Sequence, residues 1–423
     1  MAAVSHGLDQ ESADGGDHGV GVGMVRGVLR ARDRDDPPVG DYHRQDMTEP
    51  ASAPPASDTA QRDRPYSPGL EGVVAGETSL GFIDGERGRL LYRGYRIGDL
   101  VEHGTYPAVA NLLWTGDWDP RHHLPTSSVP PAVLAVLRAL PASAKPMDAL
   151  RTAVSAWGAA TDLPWPPTVD QARALTSFSP SALAAFARIR AGQEPIDPDP
   201  SLDLVEGFLY QLSGTRPDAG TTRALDAYFI VGAEHGFNAS TFTARVITST
   251  RSDIASAVAG AIGTMKGPLH GGAPSEVVDQ LAQVGSADHA EAWVHEALDR
   301  GERLMGFGHR VYRAYDPRAA ALRKVAEGME HRPDWLALAI QVEDVVLRVL
   351  AERHPERALK TNVEFYAAPV LMGVGLTPDL FPATFSLARH AGWTAHVLEQ
   401  AAANRLIRPD VNYVGLPERD LPA

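Results

Sequence analysis

The sequence predicts a mainly α-helical protein with a small β-hairpin near the start of its ordered part. Helical apolar periodicity fills most of the chain after residue 68, and a short alternating stretch surrounds Asp84-Gly85, as is typical of a hairpin. In residues 1–65, Asp, Gly, Arg, Pro, Ser and Ala instead dominate, and large apolar side chains are few. Such a segment cannot bury enough surface to offset its ordering entropy, so we expect residues 1–65 to be a disordered tail.

Local signals justify the first elements in chain order. The hairpin is expected within residues 80–94, where apolar residues alternate on both sides of Asp84-Gly85. Asp253 is a suitable N-terminal residue for the Ala-rich run that ends at Met265. Gly267-Pro268 then breaks that helix.

Three further helices are expected in the second half of the chain. The first has Pro274 near its first turn, where proline is well tolerated. The second is amphipathic and covers residues 333–353, and the third covers residues 382–405. The chain shows no internal repeat.

Composition narrows the class of protein. A net charge of -14 over 423 residues argues against a general nucleic-acid surface or a polybasic membrane contact. The chain has no cysteine, which excludes disulfides, thiolate nucleophiles and Cys-based metal sites. No apolar run approaches the roughly 20 residues of a membrane helix, and no secretory signal is visible. We therefore expect a cytoplasmic protein.

Two histidines lie in glycine-framed loops, at Gly267-Pro-Leu-His270-Gly-Gly and Gly306-Phe-Gly-His309-Arg, and Glu364 follows downstream. Glycine lets a ligand approach the backbone, and two histidines with a carboxylate can move protons around a carbonyl. Since His270 lies just before a helix N-terminus, we expect a neutral imidazole that stabilises charge on a carbonyl oxygen. Glu364 would then remove a proton from the adjacent carbon.

Other interpretations of the same residues stay open at this point. Taken singly, each histidine is more often structural, and Glu364 alone is more often a surface carboxylate. A metal site built from His270, His309 and Glu364 lacks any local ligand spacing, so no metal is expected.

Several segments resemble the citrate synthase family. They include Gly306-Phe-Gly-His-Arg-Val-Tyr-Arg-Ala-Tyr-Asp-Pro-Arg318, Gly267-Pro-Leu-His-Gly-Gly-Ala273, Glu234-His-Gly-Phe-Asn-Ala-Ser-Thr241 and Ala388-Arg-His-Ala-Gly-Trp-Thr-Ala-His396. The resemblance runs in family order from about residue 68 to about residue 415 and is identified by these specific motifs. It implies an enzyme that condenses acetyl-CoA with oxaloacetate, with acetyl-CoA as substrate and no cofactor.

The resemblance also implies site residues. His270 would hold the thioester carbonyl, Glu364 would act as the base, and His309 would protonate the ketone of oxaloacetate. Oxaloacetate would be bound by His235, Arg318 and Arg389, and by Arg408 from the other subunit of a homodimer. Arg313 is a candidate for contact with CoA phosphate, with Lys360 and Asn362 as further candidates.

The implied architecture is a two-domain helical fold that closes over the substrates. The large domain would comprise residues 66–273 and 376–423, and the small domain residues 274–375. The ordered part moves directly into the hairpin, which favours the simpler dimeric bacterial type over the large NADH-inhibited forms.

One residue departs from the family pattern, because the base is usually Asp and here is Glu364. Its side chain is longer by one methylene, and a displacement of about 1 Å can cost roughly a hundredfold in rate. Two alternatives to citrate synthase therefore remain. One is 2-methylcitrate synthase using propionyl-CoA, and the other is a non-catalytic helical dimer that retains the fold.

Overall fold

The computed structural model describes residues 66–270, 274–308, 312, 314–328, 334–354 and 359–421. Within these ranges, fifteen α-helices and one three-stranded sheet confirm the predicted mainly α class with a small β element. Ser67–Asp410 forms one compact unit. Residues 411–421 belong to a separate unit and form neither helix nor strand. The tail expected over residues 1–65 lies outside the described residues.

The helices are numbered in chain order. Their bounds are α1 Ile97–His103, α2 Tyr106–Thr115, α3 Pro131–Ala139, α4 Pro146–Ala160, α5 Val169–Arg190, α6 Leu204–Ser213, α7 Ala219–Gly232, α8 Ala239–Ser249, α9 Ile254–Met265, α10 Pro274–Val284, α11 Ala287–Asp299, α12 Pro317–Glu327, α13 Asp334–Arg353, α14 Val363–Gly373 and α15 Phe381–Ala402. Within the described ranges, no helix is both long and apolar enough to cross a membrane.

The predicted hairpin forms, but its tight turn lies elsewhere. Strands β1 (Gly81–Asp84) and β2 (Arg89–Tyr92) are antiparallel, with Asp84 opposite Arg89, so a four-residue loop separates them. The side chain of Asp84 stabilises this loop by accepting the Arg87 amide at 3.0 Å. The two-residue turn is instead Arg93-Gly94, both at positive φ (48° and 90°), leading to β3 (Tyr95–Arg96).

The predicted helices are confirmed to within a few residues. Asp253 caps α9 by accepting the Ser256 amide at 2.8 Å, and α9 ends at Met265 as expected. Helix α10 begins at Pro274, and α13 covers Asp334–Arg353. Helix α15 ends at Ala402, three residues before the predicted end at Arg405.

Helix α15 lies at the centre of the core, packed against α2, α5, α7, α8 and α9. It is buried on all sides, so its polar residues need internal partners. His396 pairs with the buried Glu234 at 3.1 Å, and Arg389 donates from Nε to the carbonyl of Gly232 at 2.5 Å. Arg389 thus reaches the end of α7, where the candidate site begins.

Candidate active site

A cavity of about 1100 Å³ is built from separate parts of the chain. Its walls come from residues 69–76, the end of α7 and start of α8, the connection after α9, the start of α14, and α15. Six residues predicted from the sequence lie on these walls: His235, His270, Arg318, Asn362, Glu364 and Arg389. Such convergence of polar groups in one concave site is typical of a ligand-binding centre.

His270 contacts the N-terminus of α8. Its Nε2 lies 3.3 Å from the amide nitrogen of Ser240 and 2.7 Å from the Ser240 hydroxyl. A backbone N–H can only donate, so Nε2 accepts and the ring proton lies on Nδ1. The hydroxyl is free to rotate between Nε2 and the Asn238 side-chain oxygen, 2.8 Å away.

The electrostatic surroundings keep His270 neutral. Burial, assisted by the positive charge of Arg389, lowers the pKa of His270 to about 4. The lowered pKa agrees in direction with the neutral form expected from the sequence, but its causes are burial and Arg389, and the contact that His270 makes is with the N-terminus of α8. A neutral imidazole with its proton on Nδ1 is a hydrogen-bond donor to an electron-rich carbonyl oxygen.

The loop that carries His235 is anchored from behind by Glu234. This carboxylate is buried and accepts hydrogen bonds from the Gly236 amide and from His396. Burial opposes its ionisation, but His396 holds the pKa of Glu234 below the ordinary value. His235 then lies at the cavity wall, with its Nε2 3.3 Å from the hydroxyl of Tyr312.

Arg318 is oriented by Asp316, a fully buried carboxylate. Asp316 accepts from Arg318 Nε at 3.0 Å and from Nη2 at 2.8 Å, which is a bidentate pair. The same carboxylate accepts the amide of Val363 at 3.1 Å, at the first residue of α14. One side chain therefore couples the arginine to the helix that carries Glu364.

Glu364 is the second residue of α14, and Asn362 caps this helix by accepting the Glu364 amide at 3.0 Å. Burial raises the pKa of Glu364 above the ordinary value, against the opposing effects of Arg318 and Arg303. A carboxylate with a raised pKa is a stronger base than one in water. Its position on the cavity wall makes Glu364 suited to proton abstraction.

The glycine-rich loop before His309 is attached to the start of α14. Gly308 donates its amide to the carbonyl of Lys360 at 2.8 Å, and Asn362 donates its amide to Gly306 at 2.9 Å. Gly306 has φ of +84°, and a Cβ there would lie 2.7 Å from that of Phe365. Only glycine fits this close approach without strain.

The comparison with known protein families decides the assignment. The family model described as "Citrate synthase, C-terminal domain" matches residues 69–410. The chain belongs to the citrate synthase family. It is therefore an enzyme that transfers an acyl group in a condensation reaction, as the resemblance implied.

Individual relatives agree with this assignment. The chain is 41% identical to the citrate synthase of Haloferax volcanii over 84% of this chain and 96% of the relative. It is 37% identical to 2-methylcitrate synthase 1 of Corynebacterium glutamicum, over 84% and 96% respectively. It also matches the Thermoplasma acidophilum citrate synthase, solved with carboxymethyl coenzyme A and oxaloacetate, at 28% identity and a TM-score of 0.73, covering 85% and 98%.

Two further residues expected from the citrate synthase resemblance lie away from the cavity wall. Arg408 and Lys360 have exposed side chains and do not line the cavity. Asn362 lines it, but its side chain is engaged within the protein, since Nδ2 donates to Gly308 O at 2.8 Å. His309 and Arg313 lie outside the described residues.

The structure of this citrate synthase family member adds three site residues that were not predicted from the sequence. Arg303 and Tyr228 line the cavity, and Ser240 contacts His270. Tyr228, Val231, Gly232 and His235 follow one another at helical spacing, which was a usable signal for Tyr228. Within the described ranges, no cluster of three His, Asp or Glu side chains could hold a metal ion.

Proposed function

We propose that this protein is a citrate synthase that condenses acetyl-CoA with oxaloacetate and releases citrate and CoA. The observation that carries the proposal is the presence of His270 and Glu364 in one cavity with Arg318 and Arg389. Burial lowers the pKa of His270, which favours a neutral hydrogen-bond donor, and raises the pKa of Glu364, which makes its carboxylate a stronger base. The two arginines supply the charge needed to bind a dicarboxylate.

In the first step, His270 donates a hydrogen bond from Nδ1 to the thioester carbonyl oxygen, and Glu364 takes a proton from the methyl carbon. The enolate carbon then attacks the ketone of oxaloacetate. His309, whose role rests on the family resemblance, gives the ketone oxygen its proton as the carbon–carbon bond forms. Water hydrolyses the citryl thioester, and the leaving thiolate takes up a proton as CoA.

The residues that would bind the two carboxylates of oxaloacetate account for substrate selection. Arg318 is preoriented by Asp316, and Arg389 is buried and lines the same cavity as His235. Preorientation lowers the entropic cost of binding a second carboxylate partner. We include Arg408 as a ligand contributed by the other subunit of a homodimer, since its side chain is exposed on this chain.

CoA recognition is proposed for Arg313, Lys360 and Asn362, with Arg303 as a further cation on the cavity wall. The side chain of Asn362 already caps α14. Asn362 would therefore contribute to CoA binding by its place in the chain rather than by a free side chain. We also propose that residues 274–375 form the small domain that moves toward residues 66–273 and 376–423 when CoA binds.

A release assay for CoA thiol tests this function. Wild-type protein is supplied with oxaloacetate and either acetyl-CoA or propionyl-CoA, and citrate or 2-methylcitrate is identified by mass. We expect kcat/KM to favour acetyl-CoA. One methylene in an apolar pocket changes kcat/KM by about 10- to 200-fold, so a preference for propionyl-CoA would identify a 2-methylcitrate synthase instead.

The same assay excludes or supports the non-catalytic alternative. A folded protein that releases no CoA from either thioester would be a helical scaffold that retains the fold. The neutral His270 and the carboxylate of Glu364 on one cavity wall favour the enzyme, because a scaffold needs neither group there.

A further inference from the structure

Tyr228 lies on the wall of the cavity, on the face of α7 that also carries Gly232. Gly232 is one helical turn further along, and its carbonyl accepts the Nε–H of Arg389 at 2.5 Å. The ring of Phe385 packs against both residues: its centroid is 6.5 Å from that of Tyr228 and 5.0 Å from the guanidinium carbon of Arg389. Tyr228 and Arg389 therefore border the same part of the cavity.

The hydroxyl of Tyr228 differs from those of other buried tyrosines. Tyr92 donates to the carbonyl of Glu234 at 2.9 Å, Tyr106 donates to the carbonyl of Leu387 at 3.0 Å, and Tyr366 donates to Glu343. Tyr228 is only 2% exposed, yet its hydroxyl makes no hydrogen bond to any part of the chain that the structure describes. The hydroxyl oxygen opens into the cavity, where a ligand can supply the missing partner.

Arg389 has the same property. Its Nε is bonded to Gly232, but neither terminal nitrogen has a hydrogen-bond or ion-pair partner among the described residues, although the side chain is 2% exposed. Burial accordingly lowers the pKa of Arg389. A buried, incompletely paired guanidinium on a cavity wall indicates a site for an anion.

The electrostatic surroundings keep the phenol of Tyr228 protonated, so that its hydroxyl can donate a hydrogen bond. Burial raises the pKa of its phenol, and the nearest influences are the positive charge of Arg389 and the negative charge of Glu364. The phenol therefore keeps its proton across the working range of pH. A neutral hydroxyl beside an unpaired guanidinium is suited to share one carboxylate with it.

We propose that Tyr228 is a further oxaloacetate-binding residue, whose hydroxyl donates a hydrogen bond to the carboxylate held by Arg389. This inference rests on the proposed function and adds a neutral donor to its arginines and histidine. The ligand class is a 2-oxo dicarboxylate. The contact is equal in the ground state and the transition state, because the carboxylate does not react.

Tyr228→Phe tests the proposal, because it removes the hydroxyl and keeps the ring. We expect the Kd for oxaloacetate, measured by calorimetry, and its KM to rise about 10- to 100-fold, as for other hydrogen bonds to charged groups. The kcat at saturating oxaloacetate and the KM for acyl-CoA should stay within about twofold. Tyr210→Phe, outside the cavity wall, is the matched control and should change neither constant.

Two outcomes would overturn the assignment. An unchanged Kd for oxaloacetate would mean that the hydroxyl does not contact the substrate. A fall in kcat with a shifted acid limb of the pH profile, at unchanged Kd, would mean that the hydroxyl contacts Glu364 instead. Failure of the proposed function would be distinct, since wild-type protein would then release no CoA from acetyl-CoA and oxaloacetate, whatever the Kd of the variant.

Discussion

His270 Nε2 lies 3.3 Å from the amide nitrogen of Ser240, at the N-terminus of α8. This contact fixes the tautomer of the ring, since the amide can only donate. The Ser240 hydroxyl supports the same geometry from 2.7 Å and also accepts a hydrogen bond from Trp393 at 3.1 Å. The amide places the ring proton on Nδ1, and the hydroxyl adds a second contact to Nε2.

Ser240→Ala should therefore lower kcat without weakening the binding of oxaloacetate. We expect a fall of roughly tenfold, less than the 10²–10⁴ of a lost acid–base group, because the amide remains. Steady-state rates and calorimetric Kd values check this. Ser181→Ala is a control, since that hydroxyl is also buried but bonds Gln211. A comparable fall in kcat in the control would contradict a specific role for Ser240.

Asp316→Ala should weaken both the fold and the binding of oxaloacetate, because it leaves the buried Arg318 without its bidentate partner. Breaking a buried pair typically costs about 3–5 kcal/mol. Urea unfolding should show a loss of this order, and the KM for oxaloacetate should rise. Arg87→Ala removes the exposed pair with Asp84 and should cost under about 1 kcal/mol. Equal losses in the two variants would contradict the prediction.

Alanine substitutions at two glycines distinguish the cost of close packing from the cost of an unfavourable backbone conformation. Gly306 and Gly301 both have positive φ, 84° and 72°. A Cβ at Gly306 would lie 2.7 Å from that of Phe365, whereas a Cβ at Gly301 would meet nothing within 4 Å. We expect Gly301→Ala to cost about 1 kcal/mol of unfolding free energy, and Gly306→Ala to cost more and to lower kcat. Similar behaviour of the two variants would show that the contact with Phe365 is unimportant.

The helices could be predicted from the sequence because their signals are local. Asp253 and Pro274 mark helix starts within a few residues of the chain, and both starts are confirmed. The tight turn was assigned to Asp84-Gly85, but it lies at Arg93-Gly94, because the Asp84 side chain stabilises a longer loop. Several turn types accept Asp-Gly, so the pattern alone does not fix loop length.

The supporting contacts of the site could not be predicted. Ser240 and His270 are 30 positions apart, and Asp316 and Val363 are 47 apart. Nothing local in the chain indicates which segments the fold brings together at such separations. Family motifs identified the groups on the cavity wall, but not the carboxylate and hydroxyl that orient them.

Glu364→Gln should stabilise the protein at neutral pH. The pKa of Glu364 is raised by burial, so its neutral form favours the folded state, and this contribution is lost as pH rises through the folded pKa. The side-chain amide of the Glu364→Gln variant never ionises, so the variant keeps its stability as the pH rises. Thermal unfolding should show a higher Tm for the variant at pH 7.5. The difference should vanish below about pH 4, where the wild-type carboxyl is neutral in both states. A lower Tm at pH 7.5 would contradict the raised pKa.

The measurement that tests Glu364 as the base most directly is the rate of CoA release from acetyl-CoA and oxaloacetate by wild-type and Glu364→Gln proteins. Glu364→Asp serves as the variant that keeps the carboxylate and shortens its reach. We expect Glu364→Gln to lose at least about a hundredfold in kcat, with the calorimetric Kd for oxaloacetate unchanged. Glu364→Asp should retain more activity than Glu364→Gln. Full activity of Glu364→Gln would contradict the assignment of Glu364 as the group that enolises the thioester.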